Sequence, residues 1–157
     1  MRYQNHSLSI TTALLLLSIL TGCSTTPVNS QNHGKGLQVV SQAKLLLNAP
    51  YRYGGNKPDG FDCSGFVQYT HKKAGIKVPR STLEQIKQIR SIRLSHIQPG
   101  DLIFFKLSGR RKVSHVGIYI GENRMIHAPS SGKRVTYASL DPGGYWRPRI
   151  IATGRFY

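Results

Sequence analysis

Hydrophobic positions recur with different periods along the chain. Leu37, Val40, Ala43 and Leu47, with Val39 and Leu46 between them, follow helical spacing until Asn48-Ala49-Pro50 interrupts it, which predicts a first helix. Tyr51 to Gly60 is too rich in Gly and Pro for a regular element and reads as a loop. Asp62 then precedes Cys63 to His71, where Phe66, Val67 and Thr70 form an apolar face. Asp62 is expected to cap a second helix that begins at Cys63. Ser81 to Ile89 predicts a third helix, with Ser81 as cap and Glu84 completing a capping box. Beyond Pro99-Gly100 come short β-branched and aromatic runs: Asp101 to Phe105, Val113 to Ile120, Arg124 to His127, Arg134 to Ala138 and Ile150 to Phe156. Helices first and strands second imply an α+β domain, helices packed on an antiparallel sheet.

The pattern upstream of this domain concerns the compartment. Ala13 to Leu20 is an apolar run behind a single charged side chain, Arg2. At roughly 8 residues it falls far short of the ~20 that span a bilayer, and suits the core of a secretory signal peptide. Leu20-Thr21-Gly22-Cys23 follows and resembles the lipobox of bacterial lipoproteins. That resemblance implies removal of residues 1–22, lipidation of Cys23 and, with Ser24 next, an outer-membrane lipoprotein facing the periplasm. Ser24 to Gly36 has the composition of a flexible linker with a reach of about 20 Å. The expected division is therefore a signal peptide at 1–22, a lipidated linker at 23–36 and a folded domain at 37–157.

Composition adds the question of a partner. The chain has 157 residues, room for one domain. Its 22 Lys and Arg against 6 Asp and Glu give a formal charge of +16, which calls for an anionic partner. Export, the lipobox and the lack of a concentrated basic stripe with stacking aromatics argue against nucleic acid. Anionic headgroups and a carboxylate-bearing wall polymer remain, bound in a salt-sensitive way.

With Cys23 lipidated, Cys63 is the only side-chain thiol of the domain. A free Cys is most often a small buried apolar residue. At a helix start, however, the helix dipole would favour its thiolate, a nucleophile. A thiolate mechanism needs a base that later protonates the leaving amine, and His titrates in the right range. His115 and His127 sit in two strands joined by the turn signal Gly121-Glu122-Asn123. A hairpin centred on Gly121 sets the imidazoles directly opposite, and one centred on Glu122-Asn123 makes them diagonal neighbours. Either way one can orient the other. His71 and His96 stand beside Lys72, Lys73 and Ser95 and read as solvated; His33 falls in the linker. A zinc site of Cys63, His115 and His127 lacks close-spaced ligand pairs and a fourth ligand, so neither metal nor cofactor is expected.

These residues stand in blocks that resemble the NlpC family of bacterial cell-wall cysteine peptidases. The blocks are Tyr51-Arg52-Tyr53-Gly54-Gly55, Asp62-Cys63-Ser64-Gly65-Phe66-Val67, Pro79-Arg80-Ser81-Thr82, Pro99 to Phe105, His115 to Tyr119 and Ile126-His127-Ala128, extending to Tyr145-Trp146. The resemblance covers about residues 37–157. It implies a papain-like fold and hydrolysis of peptidoglycan stem peptides without a cofactor. Cys63 would be the nucleophile, His115 the base, and His127 the third member that orients it. The Tyr51 hydroxyl would lie near the oxyanion site beside the Cys63 backbone N–H. Ser64, Asp62 and Arg80 match further blocks as substrate-binding candidates, Asp62 first as a helix cap. The bond cut stays open between D-glutamyl-diaminopimelate within a stem and a diaminopimelate–D-alanine crosslink. So does a non-hydrolytic peptidoglycan-binding module of the same fold, as does the identity of any regulator.

Overall fold

The computed structural model of the chain describes Met1, residues 30–107, Gly109 and residues 112–157, with the side chains of the first helix described from Gly34 onward. The expected signal peptide (1–22) after Met1, the lipidation site Cys23 and the start of the linker lie outside the described residues.

Three helices precede most of the strands, as the order of periodicities implied. Helix α1 is Ser30–Leu45, α2 is Cys63–Lys73 and α3 is Thr82–Gln88. The first helix begins well before Leu37, so residues 30–36, read as the end of a flexible linker, are helical instead. Close packing explains the extension: a Cβ on Gly36 would meet the Pro99 carbonyl and the Tyr157 hydroxyl, so this turn lies against the domain. The other two helices start where their caps require. Asp62 accepts from the Gly65 N–H at 2.7 Å, and Ser81 and Glu84 form the capping box.

A two-residue ribbon, β1 (Asn56–Lys57) and β2 (Gly60–Phe61), lies within the Gly-rich loop. The main sheet comprises β3 (Arg90–Ser91), β4 (Leu102–Phe105), β5 (His115–Gly121), β6 (Arg124–His127), β7 (Thr136–Ser139) and β8 (Ile150–Arg155). Its order is β3-β8-β4-β5-β6-β7, every neighbouring pair antiparallel. The strands β1, β2 and β3 carry no periodicity of their own and were not expected.

Both sheet faces are covered. Leu102, Phe104, Val116, Ile118 and Ile126 pack toward α1 and α2, while Ile103, Phe105 and Met125 pack under Leu140 and Trp146. Alternation in β5 sets Val116 and Ile118 on the helix side. The opposite face is covered too: His115 is only 2% exposed. No described helix is long and apolar enough to cross a membrane.

Candidate active site

The β5–β6 hairpin sets the two histidines. Ile118 faces Ile126 and Tyr119 faces Met125, a register that continues to Gly117 opposite His127. Glu122 and Asn123, at φ 51° and 50°, make the two-residue turn, the conformation of a type I′ hairpin. The second of the two arrangements is thus realised, and His115 and His127 are diagonal neighbours. Gly117 makes this possible: a Cβ there would lie 3.5 Å from the His127 Cβ and 2.6 Å from Met125 Sδ. In the space it leaves, His115 Nε2 and His127 Nδ1 come within 2.8 Å.

Trp146 encloses the pair. Its ring stacks on His115 at 5.2 Å and meets His127 edge-on at 4.8 Å, while Phe105 packs edge-on against Trp146 at 5.0 Å and lies 6.0 Å from the His115 ring. Burial pulls His115 down to about 3, helped by His127, and His127 down to about 4, helped by Lys133. Both imidazoles are therefore neutral near pH 7.

Cys63 is the first residue of α2 and stands in the same cleft as His115. The cleft encloses about 1020 Å³, with Tyr51, Cys63, Ser64, Arg80, Thr82 and His115 on its walls. Burial pushes the Cys63 thiol up; the Thr82 hydroxyl, 3.7 Å from the sulfur, and the N–H groups of Val116 and Ser64 pull it down only partly. The Asp62 charge adds to the rise. The thiolate favoured by the helix start alone is thus outweighed by burial, and the resting sulfur is a thiol.

Asp62, Ser64 and Arg80 form one network beside the nucleophile. Arg80 donates to both Asp62 oxygens, at 2.9 and 2.7 Å, and to Ser64 Oγ at 3.0 Å. Ser64 Oγ in turn donates to Asp62 at 3.1 Å, and the Gly54 N–H donates to the same carboxylate. Burial opposes ionisation of Asp62, but the Arg80 bonds and charge, with Gly65, prevail and hold its carboxyl below the usual range. The network fixes the loop before α2 against the segment before α3.

The backbone of Tyr51 is pinned by its N–H to the Lys133 carbonyl at 2.9 Å and by a bridge to Phe61. Its hydroxyl is pushed up, first by partial burial and next by Cys63. The glycines around the nucleophile serve packing more than access. A Cβ on Gly65 would run into the Gly55 carbonyl, so the first turn of α2 lies directly on that loop.

Three residues of the site were given no role in the sequence. Trp146 carried a signal, a lone Trp beside Gly143-Gly144, but nothing placed it over the histidines. Thr82 faces the sulfur, and buried Gln85 donates to the Ser64 and Pro79 carbonyls, tying α3 to the first turn of α2. His71, read as solvated, is fully buried: its Nδ1 pairs with the Val67 carbonyl at 2.9 Å and burial lowers it to about 4. His96 is exposed. Among the described residues no group of three or more His, Cys, Asp or Glu is placed to hold a metal ion.

Residues 48–155 match the NlpC/P60 family. The chain belongs to the NlpC/P60 family. Its fold agrees: an NlpC/P60 family protein from Bacillus cereus has TM-score 0.71 and 34% identity, over 77% of this chain and 40% of that one. In sequence the chain is 40% identical to the bifunctional muramidase/DL-endopeptidase CwlT of Bacillus subtilis, over 74% of itself and 35% of that protein. It is 36% identical to the murein DD-endopeptidase MepH of Escherichia coli, over 74% of itself and 45% of that protein. The chain thus spans less than half the length of these NlpC/P60 relatives.

Proposed function

We propose that this NlpC/P60 chain is a lipid-anchored peptidoglycan endopeptidase that hydrolyses stem-peptide or crosslink amides through a thioester on Cys63. The observation that carries this reading is the 2.8 Å contact between His115 and His127, on a hairpin that delivers His115 to the cleft of Cys63. With Nε2 of His115 engaged by His127, Nδ1 is the nitrogen left to act on the thiol. A neutral His115 that donates Nε2–H to His127 keeps the lone pair on Nδ1.

His115 takes the Sγ proton as the sulfur attacks the carbonyl carbon. The oxyanion is received by the Cys63 backbone N–H at the start of α2, with the Tyr51 hydroxyl as second donor. His115 returns its proton to the amine, the C–N bond breaks and a thioester remains. Water, deprotonated by the same nitrogen, then releases the acid and the thiol. Because thiol and imidazole both rest neutral, proton transfer accompanies attack rather than preceding it.

The anchor reading rests on Leu20-Thr21-Gly22-Cys23 and Ser24, and would place the enzyme on the periplasmic side of an outer membrane. The named activities of CwlT and MepH, a DL- and a DD-endopeptidase, support the substrate class and span both candidate bonds. Mass analysis of muropeptides after incubation with purified sacculi tests the reading. New fragments cut at one of those two bonds are expected; an unchanged muropeptide profile would contradict it.

A further inference from the structure

The chain's 6 acidic side chains are all engaged within the fold. Asp59, Asp62, Asp101 and Glu122 pair with arginines, Glu84 serves the Ser81 capping box and Asp141 accepts from Ser139. Among the described residues no lysine stands within ion-pair distance of an acid. Any anion that the lysines hold must come from outside.

Four of them converge on one concavity. Lys57, Lys72, Lys73 and Lys77, all exposed, surround a groove of about 880 Å³ floored by Tyr69, Ile76 and Val78. Local structure brings them together from separate elements. Just past the C-cap Ala74 of α2, Gly75 with its φ of 72° turns the chain back so that Lys77 returns beside Lys72 and Lys73. Gln68 Nε2 donates to the Val78 carbonyl at 3.1 Å and holds that segment along the helix. Lys57 arrives from the β1–β2 ribbon, which packs on α2. Lysines in the last turn of a helix complement its dipole, which accounts for Lys72 and Lys73 but not for Lys57 or Lys77.

Building on the peptidase reading, we propose that this groove is an exosite for the carboxylates of peptide stems on the wall polymer. Its size falls in the range of ligand sites. A membrane surface fits it less well, because the exposed large hydrophobic side chains, Tyr53, Leu83 and Tyr145 among them, lie outside the groove. Lys72 and Lys73 stand nine and ten residues beyond Cys63 on α2, a distance of about 15 Å along the helix. An extended peptide covers that in four or five residues, so the exosite engages a neighbouring or crosslinked stem rather than the stem being cut.

The test compares Lys57→Gln/Lys72→Gln/Lys73→Gln/Lys77→Gln with a control of equal charge, Lys35→Gln/Lys44→Gln/Lys87→Gln/Lys106→Gln, whose positions lie outside the groove. Binding to purified sacculi is read by co-sedimentation, binding to phosphatidylglycerol vesicles by flotation, and kcat/KM on a soluble single-stem muropeptide. The groove variant is expected to lose roughly tenfold in sacculus affinity and the control less than twofold, with kcat/KM within twofold of wild type for both. Amidating the sacculus carboxylates should bring wild-type binding down to the level of the groove variant. Equal losses in the two variants, undiminished wild-type binding to amidated sacculi, or a loss confined to vesicles would each overturn the exosite. Absence of cleavage by the wild-type protein would instead overturn the peptidase reading, leaving the sacculus-binding comparison to judge the groove.

Discussion

His115 Nε2 and His127 Nδ1 stand 2.8 Å apart across two strands whose register makes them diagonal neighbours. The bond fixes which nitrogen of His115 is free for the thiol. Substituting His127→Ala should lower kcat by about 10²- to 10⁴-fold, the range of acid–base catalysis by a positioned side chain, with KM little changed. His127→Asn keeps an acceptor for the Nε2–H and should recover about tenfold of that loss. Equal activity of wild type and His127→Ala in steady-state assays on a soluble muropeptide would refute the orienting role.

Trp146 covers both imidazoles, and burial is the first cause of their lowered values. The acid limb of kcat/KM should therefore lie below the ordinary imidazole value of about 6.5. Trp146→Ala admits water and should move that limb up toward it, whereas Trp146→Phe should leave it in place. A pH–rate profile distinguishes this from plain loss of structure, which would lower activity at every pH without moving the limb.

Asp62 caps α2 and pairs with Arg80, at side-chain exposures of 13% and 35%. Asp62→Ala removes the cap, at about 1 kcal/mol, and strands Arg80. Because Arg80 keeps water access, the added cost should stay below the ~3–5 kcal/mol of a fully buried broken pair. Asp62→Asn retains the cap acceptor and should be milder. Urea unfolding midpoints check the order; a more damaging Asn than Ala would contradict it.

Three buried histidines make the fold acid-labile. His71 and His127, at about 4, and His115, at about 3, lie below the unfolded imidazole value of 6.5. Between roughly pH 4 and 6.5 the unfolded chain binds protons that the folded chain refuses. Stability is thus fully present above about 6.5 and falls as pH drops, by about 1.4 kcal/mol per pH unit for each such group. His71→Leu should remove about a third of that slope in unfolding titrations. An unchanged slope would mean that His71 does not carry it.

The helix starts at Cys63 and Thr82, the main strands and the Cys63, His115, His127 constellation were legible in the sequence, because caps and period-two runs are local signals. What was not legible depends on tertiary context. Gly34 and Gly36 suggested a linker, yet Gly36 packs against Pro99 and Tyr157 and the helix runs through it. Burial of His71 had a signal that its lysine neighbours obscured: with Val67, Thr70 and Ala74 it occupies the core stripe at helical spacing. The state of the Cys63 sulfur was misjudged for a similar reason, since a helix dipole can be read from sequence and the enclosure that outweighs it cannot.

The proposed mechanism puts the acyl group on Cys63. It is tested most directly by incubating purified sacculi with wild-type protein and with Cys63→Ala, then quantifying released stem-peptide fragments by mass spectrometry alongside circular dichroism of both proteins. The account predicts fragments from wild type and none from a folded Cys63→Ala. Undiminished release by the variant would contradict it.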